Sequence, residues 1–133
     1  MKAARKSMIA VVDDDVRVLE SIEDLLESAG HSVRLFSSPQ SLLERDVLRK
    51  IDCLIADIGM PVVDGFELRR RARSVRPDLP VIFITARHEA ADQRRAAAES
   101  HHGFFRKPFD ASALLAAVAL AVWPHSKGNS DDK

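Results

Sequence analysis

Acidic, hydroxyl and ammonium side chains follow four apolar runs of this sequence. The runs lead into Asp13-Asp14-Asp15, Asp57, Thr85 and Lys107. If the runs are parallel strands, their carboxyl ends meet at one edge of a sheet, where open α/β sheets hold their functional sites. Carboxylates gathered there beside an ammonium and a hydroxyl can hold a divalent cation and a phosphoryl group. One aspartate can then act as a nucleophile and form an acyl phosphate.

Apolar runs alternate with amphipathic segments along the whole chain, which predicts a repeat of strand and helix. The predicted strands are Met8–Val12, Ser32–Phe36, Ile51–Ala56, Val81–Ile84 and His102–Arg106. Each is followed by a segment with helical apolar spacing, and the last of these begins after Asp110 and ends at Pro124. Continuous apolar strands between amphipathic helices predict an α/β fold, a doubly wound five-stranded parallel sheet with helices on both faces.

The length of 133 residues fits one domain. We expect a flexible N-terminus over residues 1–7, the folded domain over 8–123 and a polar disordered tail over 124–133. The formal net charge is zero, which gives no general attraction to nucleic acid or to an anionic membrane. The apolar stretch Ala111–Trp123 is too short to span a bilayer. The single Cys53 fits a reducing compartment, so we expect a cytoplasmic protein without nucleic-acid or membrane partners for this chain.

Four blocks of the sequence resemble the receiver domain of bacterial response regulators. They are VVDDD, LIADIGMPVVDGFEL, VIFITAR and FFRKPF, in that order, and each lies at a predicted strand end. The last two blocks and the first helix are most similar to receivers of the nitrogen-fixation type, which usually precede a helix-turn-helix output domain. The resemblance covers Met8 to Trp123 and implies the flavodoxin-like strand order 2-1-3-4-5 of the chemotaxis receiver.

The resemblance implies a phosphoacceptor and a metal site. Asp57 corresponds to the aspartate that is phosphorylated. Asp14 and Asp57 would bind Mg²⁺ directly, Asp13 would bind it through water, and Gly59 would contribute its backbone carbonyl, with Mn²⁺ as an alternative ion. Asp15 matches a variable position and is expected to act at the start of the first helix.

The resemblance also implies a switch around the phosphoryl group. Thr85 and Lys107 would bind phosphoryl oxygens, and a cis peptide bond between Lys107 and Pro108 would direct the lysine into the crevice. Thr85 would move toward the phosphoryl group while Phe104 turns inward. Receivers often carry Tyr at the position of Phe104, so a hydrogen bond of that switch is missing here.

Two further features of the resemblance concern variable positions. Gly59 and Arg87 flank the phosphoryl site and would set the rate at which the acyl phosphate hydrolyses. Ser100 replaces the glycine that usually precedes the fifth strand, so we expect a strained or reshaped turn there.

Simpler explanations exist for several residues. An Asp run can cap a helix, Thr85 can end a strand, Lys107 can be a surface cation, and Phe104 can be a half-buried strand residue. The arginines of the third helix favour a solvated surface over a nucleic-acid site, because no aromatic residues accompany them. His101-His102 favours a strand entry on the surface over a metal site, and Cys53 favours a small buried side chain over a reactive thiol.

We therefore expect a stand-alone response regulator of a two-component system. It would accept a phosphoryl group from a histidine kinase or a histidine phosphotransfer protein, and change the face built from the fourth helix, fifth strand and fifth helix. That face would control a downstream protein or form a phosphorylation-dependent homodimer. The chain would promote only its own phosphorylation and slow dephosphorylation, so it would not be an enzyme. The alternatives are the receiver part of a transcription regulator whose DNA-binding domain this chain lacks, a phosphate sink, a Mg²⁺-dependent phosphohydrolase, and a constitutive binding module.

Overall fold

The computed structural model describes residues 6–86 and 90–131, without the side chains of Arg45 and of residues 124–131. Its strands are β1 (Met8–Val12), β2 (Ser32–Phe36), β3 (Cys53–Asp57), β4 (Val81–Thr85) and β5 (Phe104–Arg106). They form one sheet in the order β2-β1-β3-β4-β5, and every neighbouring pair is parallel. The structure thus confirms the predicted fold class and strand order.

The helices of the described residues are α1 (Val16–Ser28), α2 (Pro39–Leu42), α3 (Arg45–Lys50), α4 (Gly65–Val75), α5 (Ala90–Glu99) and α6 (Ala111–Asp131). The sequence predicts one helix where α2 and α3 lie. In a continuous helix, Leu42 and Leu48 would point to different sides, because six residues turn the helix by about 240° beyond one full turn. The break after α2 lets both side chains be fully buried. Because the second predicted helix is two helices in the structure, the fourth and fifth predicted helices correspond to α5 and α6.

The C-terminal helix differs from the sequence prediction. Its backbone continues past Pro124 to Asp131, so the predicted helix end at Pro124 is wrong. A proline removes one intrahelical hydrogen bond, but extending an existing helix costs much less than starting one. Residues 132–133 of the predicted tail lie outside the described residues.

Residues 1–5 of the predicted flexible N-terminus also lie outside the described residues. Within the described part of that segment, the Ser7 carbonyl accepts a hydrogen bond from the Ser32 N–H at 2.8 Å.

The core consists of two apolar layers, one on each face of the sheet, because successive strand side chains point to opposite faces. One layer contains Ala10, Val12, Leu54, Ala56 and Phe83 from the strands, packed by α2, α3, α4 and α5. The other contains Ile9, Val11, Ile55, Ile82 and Ile84, packed by α1 and α6. Burial on both faces explains the near-continuous apolar strands. No helix within the described residues combines the length and the apolar character needed to span a membrane.

A buried carboxylate that sequence reasoning missed holds the amino end of the sheet together. The side chain of Asp52 is 4% exposed, and its Oδ2 accepts the Met8 N–H at 2.9 Å. The Met8 carbonyl accepts the Asp52 N–H at 2.8 Å in return. The reciprocal pair fixes where β1 and β3 begin, and thus where their functional carboxyl ends lie.

Candidate functional site

The parallel register brings the carboxyl ends of four strands to one edge of the sheet. Val12 pairs with Ala56, so Asp13 follows β1 at the level where Asp57 ends β3. Asp57 pairs with Ile84 of β4, and Thr85 pairs with Arg106 of β5. The four predicted positions therefore meet at one edge.

Three carboxylates converge at this edge. Asp13, Asp14 and Asp57 each offer an oxygen, and these oxygens lie within 4.8 Å of one another. Asp13 is fully buried, Asp57 is 5% exposed, and Asp14 is exposed to solvent. Among the described residues, this is the only group of three or more acidic, His or Cys side chains that could hold a metal ion.

Lys107 supplies the positive charge of the cluster. Its Nζ donates to Asp13 Oδ2 at 2.7 Å and lies 3.7 Å from Asp57 Oδ2. Its side chain is 16% exposed, so the contact with Asp13 is largely shielded from water. The explanation of Lys107 as an ordinary surface cation does not fit this geometry.

Backbone N–H groups complete the contacts of the carboxylates. Asp13 Oδ1 accepts the Asp15 N–H at 2.9 Å, and Asp57 Oδ1 accepts the Gly59 N–H at 3.1 Å. Asp15 itself is the N-cap of α1 and accepts the Arg17 N–H at 3.0 Å, as expected for a helix-starting residue. The ligand role implied for the Gly59 carbonyl stays a prediction.

The pKa of Asp13 is raised from 3.8 to about 6, mainly by burial and to a smaller extent by the nearby charge of Asp57. The hydrogen bonds from Lys107 and from the Asp15 N–H act in the opposite direction. Desolvation is the largest of these effects, so one lysine does not fully compensate the buried carboxylate. A hard divalent cation would compensate it, since carboxylate oxygens are the ligands that Mg²⁺ prefers. The donor set of Asp13, Asp14 and Asp57 therefore fits Mg²⁺.

The proposed switch residues are adjacent to the site. Thr85 is 1% exposed, and its carbonyl accepts the Lys107 N–H at 2.7 Å. The peptide bond between Lys107 and Pro108 is cis. Phe104 is half-buried, pairs with Phe83 across the sheet, and packs against the core layer on that face. The structure brings these residues together, while their movement stays a prediction.

The loop from β3 to α4 contains two features that shape the site. Gly65 begins α4 so close to β3 that a Cβ atom there would lie 2.7 Å from the Asp57 carbonyl oxygen. The preceding Asp64 caps α4 by accepting the Glu67 N–H at 2.9 Å. Val62 adopts a φ of 68°, and its side chain is 96% exposed. An Asp-Gly pair is a signal of a turn or helix start, but nothing in the sequence indicates a left-handed valine.

The turn before β5 is reshaped and not strained at Ser100. Within the described residues, Val62 is the only non-glycine with a positive φ, and Ser100 continues from α5 with its N–H bonded to the Ala96 carbonyl at 2.8 Å. The left-handed residue is Gly103, at a φ of 140°. The predicted strand start at His102 is therefore wrong, and β5 begins at Phe104.

The other residues singled out from the sequence serve structural roles. Arg70 and Arg71 both bind Glu67, and their hydrogen bonds lower the pKa of its carboxyl to about 2. Arg76 donates to the Leu48 carbonyl at 2.6 Å and so ties α4 to α3. These contacts support the view of the arginine run as part of the protein surface.

Cys53 and the histidine pair also match their simpler explanations. Cys53 is fully buried, and burial raises the pKa of its thiol to about 12, so it is not a reactive thiolate. Burial and the neighbouring cations of Arg73 and His101 lower the pKa of His102. Arg87 lies outside the described residues.

Comparisons with known proteins agree on one family. The family model described as the response regulator receiver domain matches residues 9–119. The response regulator protein TodT of Pseudomonas putida is 36% identical over 129 residues, which are 95% of this chain and 56% of that protein. The transcriptional regulatory protein FixJ of Bradyrhizobium diazoefficiens is 31% identical over 117 residues, 88% of this chain and 57% of that protein. The chain thus spans little more than half the length of these curated relatives.

Solved structures resemble the fold as well. The crystal structure of a response regulator receiver domain protein from Clostridium thermocellum superposes with a TM-score of 0.79 at 29% identity. The match covers 87% of this chain and 94% of that chain. The fold of most of this chain is therefore shared with a known receiver structure.

Proposed function

This chain belongs to the response regulator receiver family of two-component systems, and on that premise we propose that it accepts a phosphoryl group on Asp57. The donor is a phosphohistidine on a sensor histidine kinase or a histidine phosphotransfer protein. The observation that carries the proposal is the contact of Lys107 with two carboxylates at the strand ends, 2.7 Å from Asp13 and 3.7 Å from Asp57. We assign the receiver domain to residues 8–123.

The proposed step is a phosphoryl transfer between two side chains. An oxygen of Asp57 attacks the phosphorus, the phosphorus–nitrogen bond of the donor breaks, and the histidine nitrogen keeps the electron pair of that bond. The transition state spreads negative charge over the phosphoryl oxygens, so the site mainly has to position and neutralise them. Lys107 contributes its ammonium, and Thr85 contributes its hydroxyl from the end of β4.

Mg²⁺, or Mn²⁺ in its place, would be held by Asp14, Asp57 and the Gly59 carbonyl, with Asp13 acting through water. The ion would supply charge neutralisation for the acidic cluster and the transferred group. The incomplete compensation of Asp13 by Lys107 supports this part of the proposal.

Phosphorylation then changes the face formed by α5, β5 and α6. Thr85 moves toward the phosphoryl group, and Phe104 turns into the space that it leaves. The altered face controls a downstream protein or forms a phosphorylation-dependent homodimer. A rise in molar mass by light scattering on adding beryllofluoride, a phosphoryl mimic, is expected for the dimer, and an unchanged mass would contradict it.

We propose a signalling role rather than an enzymatic one, in the cytoplasm, where the reduced Cys53 fits. Phosphohydrolases that use an aspartate nucleophile usually carry a second aspartate two residues later, and this chain has Gly59 there. Steady turnover of p-nitrophenyl phosphate would contradict the proposal and favour the phosphohydrolase.

The second candidate is the receiver part of a transcription regulator. It is favoured by the length of the curated relatives, because this chain matches 56% of TodT and 57% of FixJ. It is also favoured by the name of FixJ, which is a transcriptional regulatory protein. A phosphate sink would share the same chemistry without a downstream target.

The deciding experiment is intact mass spectrometry after incubation with acetyl phosphate. We expect a gain of one phosphoryl group with Mg²⁺, and none with EDTA or in Asp57→Asn. Asp24→Asn, at an exposed carboxylate of α1, is the matched control and should be labelled like the wild type. Absence of labelling under every condition would contradict the proposal and favour a constitutive binding module.

A further inference from the structure

The start of β3 is held by side chains that the proposed phosphoryl transfer does not use. Asp52, the residue before the strand, is buried. Its Oδ2 accepts the Met8 N–H at 2.9 Å, and its own N–H donates to the Met8 carbonyl at 2.8 Å. Both contacts join β3 to β1, which is the strand that leads into Asp13.

The carboxylate of Asp52 acts here in place of a backbone carbonyl. The residues before Asp52 belong to α3, which ends at Lys50, and so they do not continue the strand toward Met8. A parallel ladder would end at this point, because its bonds need backbone groups from both strands. The Asp52 side chain supplies the acceptor for the Met8 N–H instead. The pair therefore fixes the position of β3 along β1.

A second contact holds the same junction from the end of α4. Arg76 Nη1 donates to the Leu48 carbonyl at 2.6 Å and to the Ile51 carbonyl at 3.0 Å. Leu48 belongs to α3, and Ile51 lies between α3 and β3. The Arg76 side chain is largely shielded from water, with 17% of it exposed. Arg76 thus ties α4 to the point where the chain enters β3.

The other end of α4 is attached to the other end of β3. The Gly65 N–H donates to the Ile58 carbonyl at 3.1 Å, and a Cβ atom on Gly65 would lie 2.7 Å from the Asp57 carbonyl oxygen. The strand has five residues and the helix has eleven, so each spans about 16 Å. A helix and a strand of equal length that are attached at both ends leave Asp57 little freedom to move along the strand.

We propose that Asp52 and Arg76 are positioning residues for the acidic site. They hold the start of β3 against β1 and α4, and thereby set the spacing of the Asp13 and Asp57 carboxylates at the far end of the two strands. Both residues lie at the opposite end of the sheet, so they act through the backbone. The inference rests on the proposed function and deepens it, because it concerns the groups that would hold Mg²⁺ and the phosphoryl group.

The strands are rigid enough to carry this effect from one end to the other. Every side chain of β3 is buried, and its pairing with β1 continues without a break to Val12 and Ala56. A close-packed interior transmits a shift of one end and does not absorb it. The site is sensitive to such a shift, because Mg²⁺ demands near-ideal octahedral geometry. A displacement of β3 should therefore weaken metal binding without unfolding the protein.

Mn²⁺ binding to the full, unphosphorylated chain, measured by electron paramagnetic resonance of the free ion, tests the proposal. We expect Asp52→Ala to bind Mn²⁺ about tenfold more weakly than the wild type, as is typical when residues that support a metal site from outside the ligands are lost. Asp52→Asn should bind like the wild type, because its amide oxygen can still accept the Met8 N–H. Arg76→Ala should weaken binding as well. Arg70→Ala is its matched control, since Arg70 is an exposed arginine of the same helix.

A general loss of stability has to be separated from a loss of position. Val118 of α6 is fully buried, and Val118→Ala removes core volume but no hydrogen bond between β1 and β3. It should lower the free energy of unfolding in urea and leave the Mn²⁺ affinity unchanged. Labelling by acetyl phosphate at saturating Mg²⁺ should be slower in Asp52→Ala but not in Val118→Ala, because misplaced reacting groups lose rate even when the metal is bound.

Three results would overturn the proposal. Folded Asp52→Ala and Arg76→Ala could both bind Mn²⁺ like the wild type, Asp52→Asn could be as defective as Asp52→Ala, or Val118→Ala could lose the same affinity. If Asp52→Ala does not fold, Arg76→Ala decides, because it keeps the Asp52–Met8 pair. A wild type that binds Mn²⁺ but is not labelled would contradict the proposed function and leave the positioning measurable, so the two proposals can fail independently.

Discussion

At the scale of single residues, the ammonium of Lys107 is shared between two carboxylates. Lys107 contacts Asp13 at 2.7 Å and lies 3.7 Å from Asp57, and both acidic side chains are buried. Burial raises the pKa of Asp13, and the nearby negative charge of Asp57 acts in the same direction. The metal-free protein therefore retains an unfavourable buried charge at Asp13, and this charge has a consequence for stability.

We expect Asp13→Asn to stabilise the metal-free protein at neutral pH. The pKa of Asp13 is about 6 in the folded state against 3.8 for the free side chain, so the folded state binds the proton more tightly. The free energy of unfolding of the wild type should fall as the pH rises from about 4 to 6 and stay low above that, by up to roughly 2–3 kcal/mol. Asn carries no charge and should abolish this loss.

Urea unfolding in EDTA at pH 7.5 and at pH 4 measures the effect. The gap between Asp13→Asn and the wild type should be present at pH 7.5 and shrink at pH 4. Asp14→Asn is the control, because Asp14 is exposed and its replacement should change stability little. Equal stability of Asp13→Asn and the wild type at pH 7.5 would show that Lys107 already compensates Asp13.

The convergence of the site residues could be predicted from their sequence positions. Asp13, Asp57, Thr85 and Lys107 each end or follow an apolar run, and parallel strands bring such positions together. The partner of Lys107 could not be predicted, because the choice between Asp13 and Asp57 depends on distances of about an ångström. The left-handed backbone of Val62 was also unpredictable, since a β-branched residue disfavours that conformation.

At the scale of elements, α5 is weakly anchored. Ala96 is its only buried residue. Arg95 compensates by placing its guanidinium carbon 4.2 Å from the centre of the Phe66 ring on α4. Phe66 in turn packs edge-to-face on Phe83 at a ring distance of 5.2 Å, two residues before Thr85. The Arg95–Phe66 contact thus connects α5 to the strand that carries a proposed switch residue.

Arg95→Ala should therefore speed phosphorylation by acetyl phosphate, if phosphorylation moves α5 as proposed. Cation–π contacts of this kind contribute about 0.5–1 kcal/mol, which corresponds to roughly a two- to fivefold shift between two states. A variant that destabilises the resting position of α5 favours the phosphorylated arrangement. The rate of mass gain measures the effect.

Arg94→Ala is the matched control for Arg95→Ala, because Arg94 is an exposed arginine on the same helix. Its labelling rate should equal that of the wild type. An unchanged or slower rate in Arg95→Ala would indicate that α5 does not move during labelling.

Element boundaries were predicted less well than element types. The break between α2 and α3 depends on burying both Leu42 and Leu48, which requires knowledge of where the core lies. The late start of β5 depends on the φ of 140° at Gly103, and a glycine alone does not reveal its conformation. The continuation of α6 past Pro124 follows from an already formed helix, whereas the sequence signal of proline favours a helix end.

At the scale of the whole molecule, the two ends of the sheet have different characters. The carboxyl end collects the titratable cluster, and the amino end has the Asp52–Met8 pair and a groove beside α6. The two ends of the sheet are thus separated along the strands, so substitutions in the groove at the amino end should leave the acidic cluster at the carboxyl end unchanged.

The conformation of Val62 affects the heat resistance of the whole molecule. A non-glycine residue in the left-handed region costs about 1–2 kcal/mol of stability, and glycine avoids this cost. Part of the gain is lost again, because glycine loses more backbone entropy on folding than valine does. Val62→Gly should therefore raise the melting temperature by about 2–4 °C. Scanning calorimetry measures this, and Val62→Ala, which keeps the Cβ atom, should gain less; a lower melting temperature in Val62→Gly would contradict the prediction.

Position 62 is thus a practical point for engineering. Its side chain is 96% exposed, so replacing it repacks nothing in the core. A version of this protein meant to survive long storage, or repeated use on a sensor surface, could be improved there first.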